Sequence, residues 1–526
     1  MNILKKKPVI FLLLVITLLL FLRIDYRFKY TIECCSDEYD YFMHASTIAN
    51  DFDFDYSNQD LRDFRYTNNN KTAPVGFVGT GILFSPFLFL GNLFNEIFNE
   101  SIAKDLFNYQ IFFYSMSSVI YFFLTYLFIY KTMILLGYRL NKYKLLLIFS
   151  ASGLPYYAFE RFGMTHIAEV FTISLLIYLL SSFYLEDKYS KVSVLLISPI
   201  LILSFLTRMS NFFLFLIPLI VRKFLLSSKK FDRALIKNSN FLISFLISSV
   251  SYVWIIFSIY GKFIINPQKI YSDQRTSEQL FGSLSDLPMT IIDIALSSFN
   301  VLFTFEFGIF WMSPILFYGT IYCLYQLKDY SNYACWLLFL CFAQNFVIIY
   351  LWQSAASSYG FRYLFSLVPL AFFVLFLQQN NEYVMKYLTI FSLFSIVGIL
   401  FFETTTLTQL SLVDEYNSFG RYIRYIEPEY VKGVVLAVSD FNSYLIIFST
   451  SFVGAIFFKL LLIIFGQSTL ETILSGLGLP VENNDFQIYL ENLQNIGLEK
   501  FIWILLLFSF FSYIITYKLK DFTQKN

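Results

Sequence analysis

The sequence predicts an all-α polytopic membrane protein, and three observations carry that prediction. Apolar runs long enough to cross a bilayer recur along nearly the whole of its 526 residues. Only 14% of the residues are charged, where a soluble domain carries about 25%. Hydrophobic residues make up 57%, and the mean hydropathy is +0.61. A water-soluble globular fold is excluded. The net charge of +1 gives no reason to expect a nucleic-acid partner.

The elements follow in chain order. Lys5-Lys6-Lys7 precede the apolar run Pro8 to Leu22, as in a signal peptide. A cleavage site needs small residues, and Arg23-Ile24-Asp25-Tyr26 stand there instead, so the run reads as an uncleaved first membrane helix with a cytoplasmic N-terminus. A polar stretch rich in Asp, Asn and Tyr continues from Arg23 to Pro74. Apolar runs then fall at 77–95, 107–130, 145–160, 164–185, 193–207, 209–221, 240–260, 308–327, 334–352, 363–378, 387–402, 438–464 and 501–517. Longer polar loops lie at 261–297, 403–437 and 465–500, and no internal repeat is evident.

Charge sets the orientation. The connections 131–144 and 222–237 are the most basic and belong in the cytoplasm. That assignment holds only if 77–95 does not span. Gly76, Gly79, Gly81, Pro86 and Gly91 also disfavour a long straight helix there. The run is therefore expected to be interfacial or re-entrant, and 23–106 becomes one large outer loop with juxtamembrane helices. About thirteen spanning helices remain.

Five cysteines make no disulfide framework: Cys34 and Cys35 are adjacent, and Cys323, Cys335 and Cys341 lie in or beside apolar helices. The first outer loop holds most of the chemistry. Ser36 can cap a helix over 37–50, and Tyr41, Phe42, Ala45, Ile48 and Ala49 give it one apolar face suited to a membrane surface. Asp51-Phe52-Asp53-Phe54-Asp55 alternates with period two, which is not helical.

Each candidate has two readings. Asp37 and Glu38 can accept a proton from a hydroxyl, or simply complement the helix dipole. Asp51, Asp53 and Asp55 offer oxygen ligands to a divalent cation, a candidate cofactor, but lack the glycine and distal glutamate of a calcium loop. Of the two histidines, His44 and His166, the second has Glu169 one turn on and can ligate a metal, bond a phosphate or serve as a satisfied interfacial side chain. Arg208 and Arg362 stand at the ends of apolar runs, where a guanidinium fork either grips phosphate or snorkels to the interface. Lys71, ahead of the Pro74-Val75-Gly76 turn, is a similar point charge.

Ser36-Asp37-Glu38-Tyr39-Asp40-Tyr41, followed by Ala49-Asn50-Asp51-Phe52-Asp53-Phe54-Asp55-Tyr56-Ser57-Asn58, resembles the first outer loop of bacterial GT-C glycosyltransferases. These membrane enzymes, related to protein O-mannosyltransferases and aminoarabinose transferases, use polyprenyl-phosphate-linked sugars. Lys71-Thr72-Ala73-Pro74-Val75-Gly76 with Ser85-Pro86-Phe87, then Phe307-Gly308-Ile309-Phe310-Trp311-Met312-Ser313-Pro314, then Tyr359-Gly360-Phe361-Arg362-Tyr363 with Pro369 fit the same pattern in order. The resemblance covers residues 1–402, which it makes a catalytic core. It matches nothing in 403–526, an outer loop and two further membrane helices with their connecting loop.

The resemblance implies a GT-C fold in the plasma (inner) membrane, with the active-site loop on the periplasmic or extracellular side. It implies inverting transfer of a sugar from a polyprenyl-phosphate donor to an envelope lipid, glycan or protein. Asp37 would be the base with Glu38 beside it. Lys71 and Arg362 would face the lipid phosphate together with Arg208, and Tyr41 and His166 are candidate substrate or metal contacts. Many relatives have an acid where His166 stands, which puts a metal there in doubt. Two rivals are a transporter or flippase of lipid-linked saccharides and an envelope polysaccharide polymerase. A transporter would show internal symmetry and polar broken helices, and the sequence displays neither clearly.

Overall fold

The computed structural model describes residues 36–58, 65–68, 71–74, 76–97, 109–138, 140–160, 162–186, 190–226, 235–264, 287–303, 308–328, 333–352, 362–377, 381–401 and 452–478, with a few isolated positions besides. The expected first membrane helix, the cysteines Cys34 and Cys35, most of the three long loops and the run 501–517 lie outside them. One compact unit comprises Ile32–Phe94 with Gln110–Ile396 and holds every element discussed below. In the second unit the described helices are Phe452–Phe465 and Gln467–Gly476.

The chain is helical throughout its described length, apart from one short hairpin. Helix α1 is Ser36–Asn50, and strands β1 (Arg65–Asn68) and β2 (Lys71–Pro74) pair antiparallel with Asn68 opposite Lys71. There follow α2 (Val78–Ile97), α3 (Tyr109–Leu135), α4 (Lys142–Ser150), α5 (His166–Leu185), α6 (Lys191–Thr207), α7 (Ile217–Leu226) and α8 (Ser239–Tyr260). Next come α9 (Leu287–Phe303), α10 (Ile309–Met312), α11 (Pro314–Gln326), α12 (Tyr333–Trp352), α13 (Val368–Leu377) and α14 (Glu382–Phe401). A π-turn at Tyr156–Glu160 and 3₁₀ turns at Phe212–Leu216 and Arg362–Leu367 lead into α5, α7 and α13.

Among the described residues five helices are long and apolar enough to cross a membrane: Val78–Ile97, Tyr109–Leu135, His166–Leu185, Ser239–Tyr260 and the Tyr333–Tyr350 part of α12. Shorter apolar helices occur at Lys191–Thr207, Thr290–Phe303 and Arg362–Leu377. This is a helical membrane protein. Several runs expected as single spans are discontinuous instead. The run 145–160 breaks after Ser150, where Gly153 takes φ +83°, and the run 308–327 breaks at Ser313. The two breaks meet: Ser313 Oγ donates to the Ser152 carbonyl at 3.1 Å, and Ser395 Oγ on α14 donates to the carbonyls of Ala151 and Met312. Hydroxyls thus satisfy backbone oxygens that the broken helices leave open.

Helix α5 is the centre of the unit, packed along α6 and α7, while α6 packs along α8. Ring contacts Tyr121–Phe171 and Phe128–Tyr178 run α3 parallel to α5. The pairs Ser198–Phe241 and Phe205–Tyr252 run α6 parallel to α8. The start of α5 and the ends of α6 and α8 therefore share one end of the bundle, the site end. Lys131, Lys142, Lys191, Lys223 and Lys237 fall at the opposite end.

Two expectations for the outer loop are corrected. Residues 78–97 form one continuous helix despite its glycines and Pro86. The glycines serve close approach rather than breakage. A Cβ at Gly79 would lie 2.8 Å from the Leu206 carbonyl oxygen, and one at Gly81 would lie 2.8 Å from the His44 carbonyl carbon. Pro86 cannot donate to the Ile82 carbonyl, and Ser85 Oγ does so in its place at 3.1 Å. Helix α1 does not lie on a surface by one apolar face. Tyr41, Phe42, Ala45 and Ala49 are buried, and so are Glu38, Asp40, His44 and Thr47 around the rest of it. Helix α2 and the start of α5 enclose it.

The glycine contacts predict a steric cost. Gly81→Val should drive a branched side chain into the α1 backbone and destabilise the protein by about 1–3 kcal/mol. Thermal unfolding of the purified chain in detergent should show the loss, with Gly476→Ala, where an added Cβ meets nothing within 4 Å, close to wild type.

Candidate functional site

Helix α1 is fixed by three close approaches along its length. Built Cβ atoms show Gly163 within 3.0 Å of Glu38 Cβ, Gly76 within 2.7 Å of Asp40 Cβ and 3.2 Å of the Tyr41 ring, and Gly81 against His44. Asp37 stands in the first turn beside Glu38, and its side chain is outside the described residues. Glu38 is buried and within electrostatic reach of the Tyr114 hydroxyl on α3.

His44 is an anchor. Its Nε2–H donates to the Gly76 carbonyl at 2.9 Å, which obliges Nδ1 to accept from the Tyr56 hydroxyl at 2.6 Å. Burial disfavours the imidazolium and lowers its pKa to about 4, the Gly76 bond opposing this only in part. Burial, with Tyr260 and Asp53 nearby, pushes the Tyr56 phenol well above its ordinary value and keeps it a donor. The two bonds tie α1 to both the acidic loop and the turn before α2.

The second cluster sits where α5 begins and α6 ends. Glu169 Oε2 lies 3.6 Å from His166 Nδ1 and 3.5 Å from Arg208 Nη1, and Asn211 Nδ2 donates to Glu169 Oε1. All four side chains are buried. The Arg208 guanidinium lies 4.4 Å above the Tyr363 ring, and that of half-buried Arg362 lies 5.4 Å from the same ring. His166 is boxed by Tyr157 and Phe365. Among the described residues Arg208 Nε has no hydrogen-bond partner and Nη1 meets Glu169 only as an ion pair at 3.5 Å, so the buried guanidinium retains donor capacity for an oxyanion.

One turn of chain joins the two parts. Gly163 packs on Glu38, Thr165 Oγ1 bonds Thr80 on α2 and donates to the Thr207 carbonyl at 2.8 Å, and His166 follows directly. Glu38, His166, Arg208 and Arg362 are thereby gathered at the site end, with Tyr41 beside Gly76. Lys71 lies elsewhere on that end. Its Nζ donates to the Ser258 carbonyl at 2.6 Å, close to the C-terminus of α8. Asn211 and Tyr363 escaped sequence reasoning because each acquires its role through a partner far away in the chain. The His166-x-x-Glu169 spacing was the one local signal for Glu169.

The metal candidates do not fit. Among the described residues no three His, Cys, Asp or Glu side chains converge as ligands. Asp51 accepts from Asn58, Asp53 from the Asp55 amide and Asp55 from the Ser57 amide, so the acidic loop folds on itself. Comparisons with known proteins found no matching family model, curated sequence or solved structure.

Two outcomes follow. Arg208→Met should cost about 3–5 kcal/mol in detergent unfolding, because Glu169 is left buried without its cation, and adding Glu169→Gln should recover most of it. His44 is neutral in the fold and has an ordinary value near 6.5 when unfolded. Its contribution is complete above pH 6.5 and falls away as pH drops toward 4, by about 3 kcal/mol. His44→Gln should flatten that part of the stability–pH curve.

Proposed function

We propose that this chain is an integral-membrane glycosyltransferase that moves a sugar from a polyprenyl-phosphate donor to an envelope acceptor, with inversion. The observation that carries the reading is the convergence, at one end of an apolar bundle, of the acidic first turn of α1 with a buried arginine that keeps unpartnered donors. It is what transfer from a lipid phosphate requires: a carboxylate for the incoming hydroxyl and fixed cations for the leaving group.

In this scheme the acceptor oxygen forms its bond to the sugar C1 on the face opposite the phosphate. The C1–O bond breaks with its electron pair passing to the polyprenyl phosphate, and the hydroxyl proton passes to the Asp37 carboxylate. A carboxylate near its ordinary pKa of ~3.9 is a weak base, so the proton leaves late, after the hydroxyl has been acidified by bonding to C1. Glu38, buried one residue on, orients the acceptor. Arg208 and Arg362, both set against the Tyr363 ring, receive the phosphate charge.

A second reading, a transporter or flippase of lipid-linked saccharides, is favoured by the two helix breaks that meet at Ser152 and Ser313. Purified protein in liposomes separates the two: transfer consumes the donor, whereas translocation moves it between leaflets intact.

Asp37→Asn is expected to lower donor turnover by ~10²–10⁴ while the unfolding temperature stays at wild type. Glu38→Gln should cost less. Arg362→Lys keeps the charge but loses the fork and should remove most turnover. Near-normal turnover by Asp37→Asn would take Asp37 out of the mechanism.

A further inference from the structure

The alternating segment Asp51-Phe52-Asp53-Phe54-Asp55 is not absorbed by the mechanism, and its geometry is unusual. Phe52 adopts φ +58°, a conformation that costs a bulky L-residue about 1–2 kcal/mol. Its ring is nonetheless 75% exposed, meeting the protein edge-on at Phe89 of α2 at 5.7 Å. Two residues later Phe54 packs at 5.8 Å on Trp254 of α8, itself 60% exposed. Tyr56, two further on, turns inward to His44. The period-two pattern thus sends the aromatic rings toward α2 and α8, with Asp51, Asp53 and Asp55 exposed beside them.

What those rings adjoin decides the reading. Helix α8 has 22% of its apolar window buried, against 89% for the central α5. Leu246, Val250, Val253 and Phe257 continue the exposed stripe that contains Trp254, and Phe89 and Leu90 continue it on α2. A stripe of that composition on a helix long enough to span is a lipid face. Phe52 is continuous with it. In water the strained backbone and the bare ring would both be unfavourable, whereas in lipid the ring loses its contact with water. Aromatic rings at the headgroup level with acids on the aqueous side are the pattern of a membrane-interface belt.

We propose that the 51–55 segment is a membrane-contact element. Phe52 inserts among the lipids between α2 and α8, Phe54 seals against Trp254, and the three aspartates stay in the aqueous headgroup zone and limit the depth. This fixes the membrane boundary just below the C-terminus of α8, at the level of the α1 site. The proposal rests on the membrane-spanning helices alone and stands apart from sugar transfer.

The test is spin-label accessibility in the full-length chain with its five cysteines replaced by alanine, reconstituted in phosphatidylcholine vesicles. Labels are placed singly at positions 52, 53 and 89. Position 52 should collide at least several-fold more with oxygen, which partitions into lipid, than with a water-soluble nickel chelate, and position 53 should show the reverse. Excess nickel collisions at 52 would overturn the proposal. Spin–spin broadening there would also overturn it, because a second copy of the chain would then cover the ring. Should the label at 52 prevent folding, position 89 reads the same boundary from the helix, and a nickel preference there counts equally against it.

Discussion

Helix α1 carries acids, a histidine and a threonine into a position from which water is excluded, and each buried polar atom there needs a partner. His44 meets that demand twice, donating to the Gly76 carbonyl and accepting from Tyr56. The Gly76 bond requires the turn before α2 to lie within backbone reach of α1, and Gly76 and Gly81, lacking side chains, make that distance available. Thr80, next to it, then bonds Thr165, so the same approach also places the start of α5. The whole site end hangs on this crossing of α1, α2 and α5.

The charged cluster is arranged by the opposite kind of constraint. A carboxylate and a guanidinium in an apolar bundle are each expensive alone, and Glu169 and Arg208 reduce the cost by facing one another with Asn211 filling an acceptor site. The pairing is incomplete. At 3.5 Å the ion pair through Nη1 is not a hydrogen bond, and Arg208 Nε has no hydrogen-bond partner among the described residues.

Tyr363 links the two arginines that the sequence placed far apart. One aromatic ring holds guanidinium groups from the end of α6 and from the 3₁₀ turn before α13, and cation–π attraction offsets part of their mutual repulsion.

Composition and hydropathy determined by themselves that the chain is helical and built for a membrane, because every backbone group in a bilayer must be satisfied within its own segment. The basic connections likewise separated the two ends of the bundle, since charge bias is local and additive. The helix at 36–50 and the non-helical alternation after it were also legible, both being short-range patterns. What only the tertiary structure decided was which side chains meet. Gly79 and Gly81 read as helix breakers and act as packing sites, because local propensity cannot register a neighbour arriving from residue 44 or 206. Helix α1 read as a surface helix and is enclosed, for the same reason. A buried contact depends on two surfaces, and the sequence displays them one at a time.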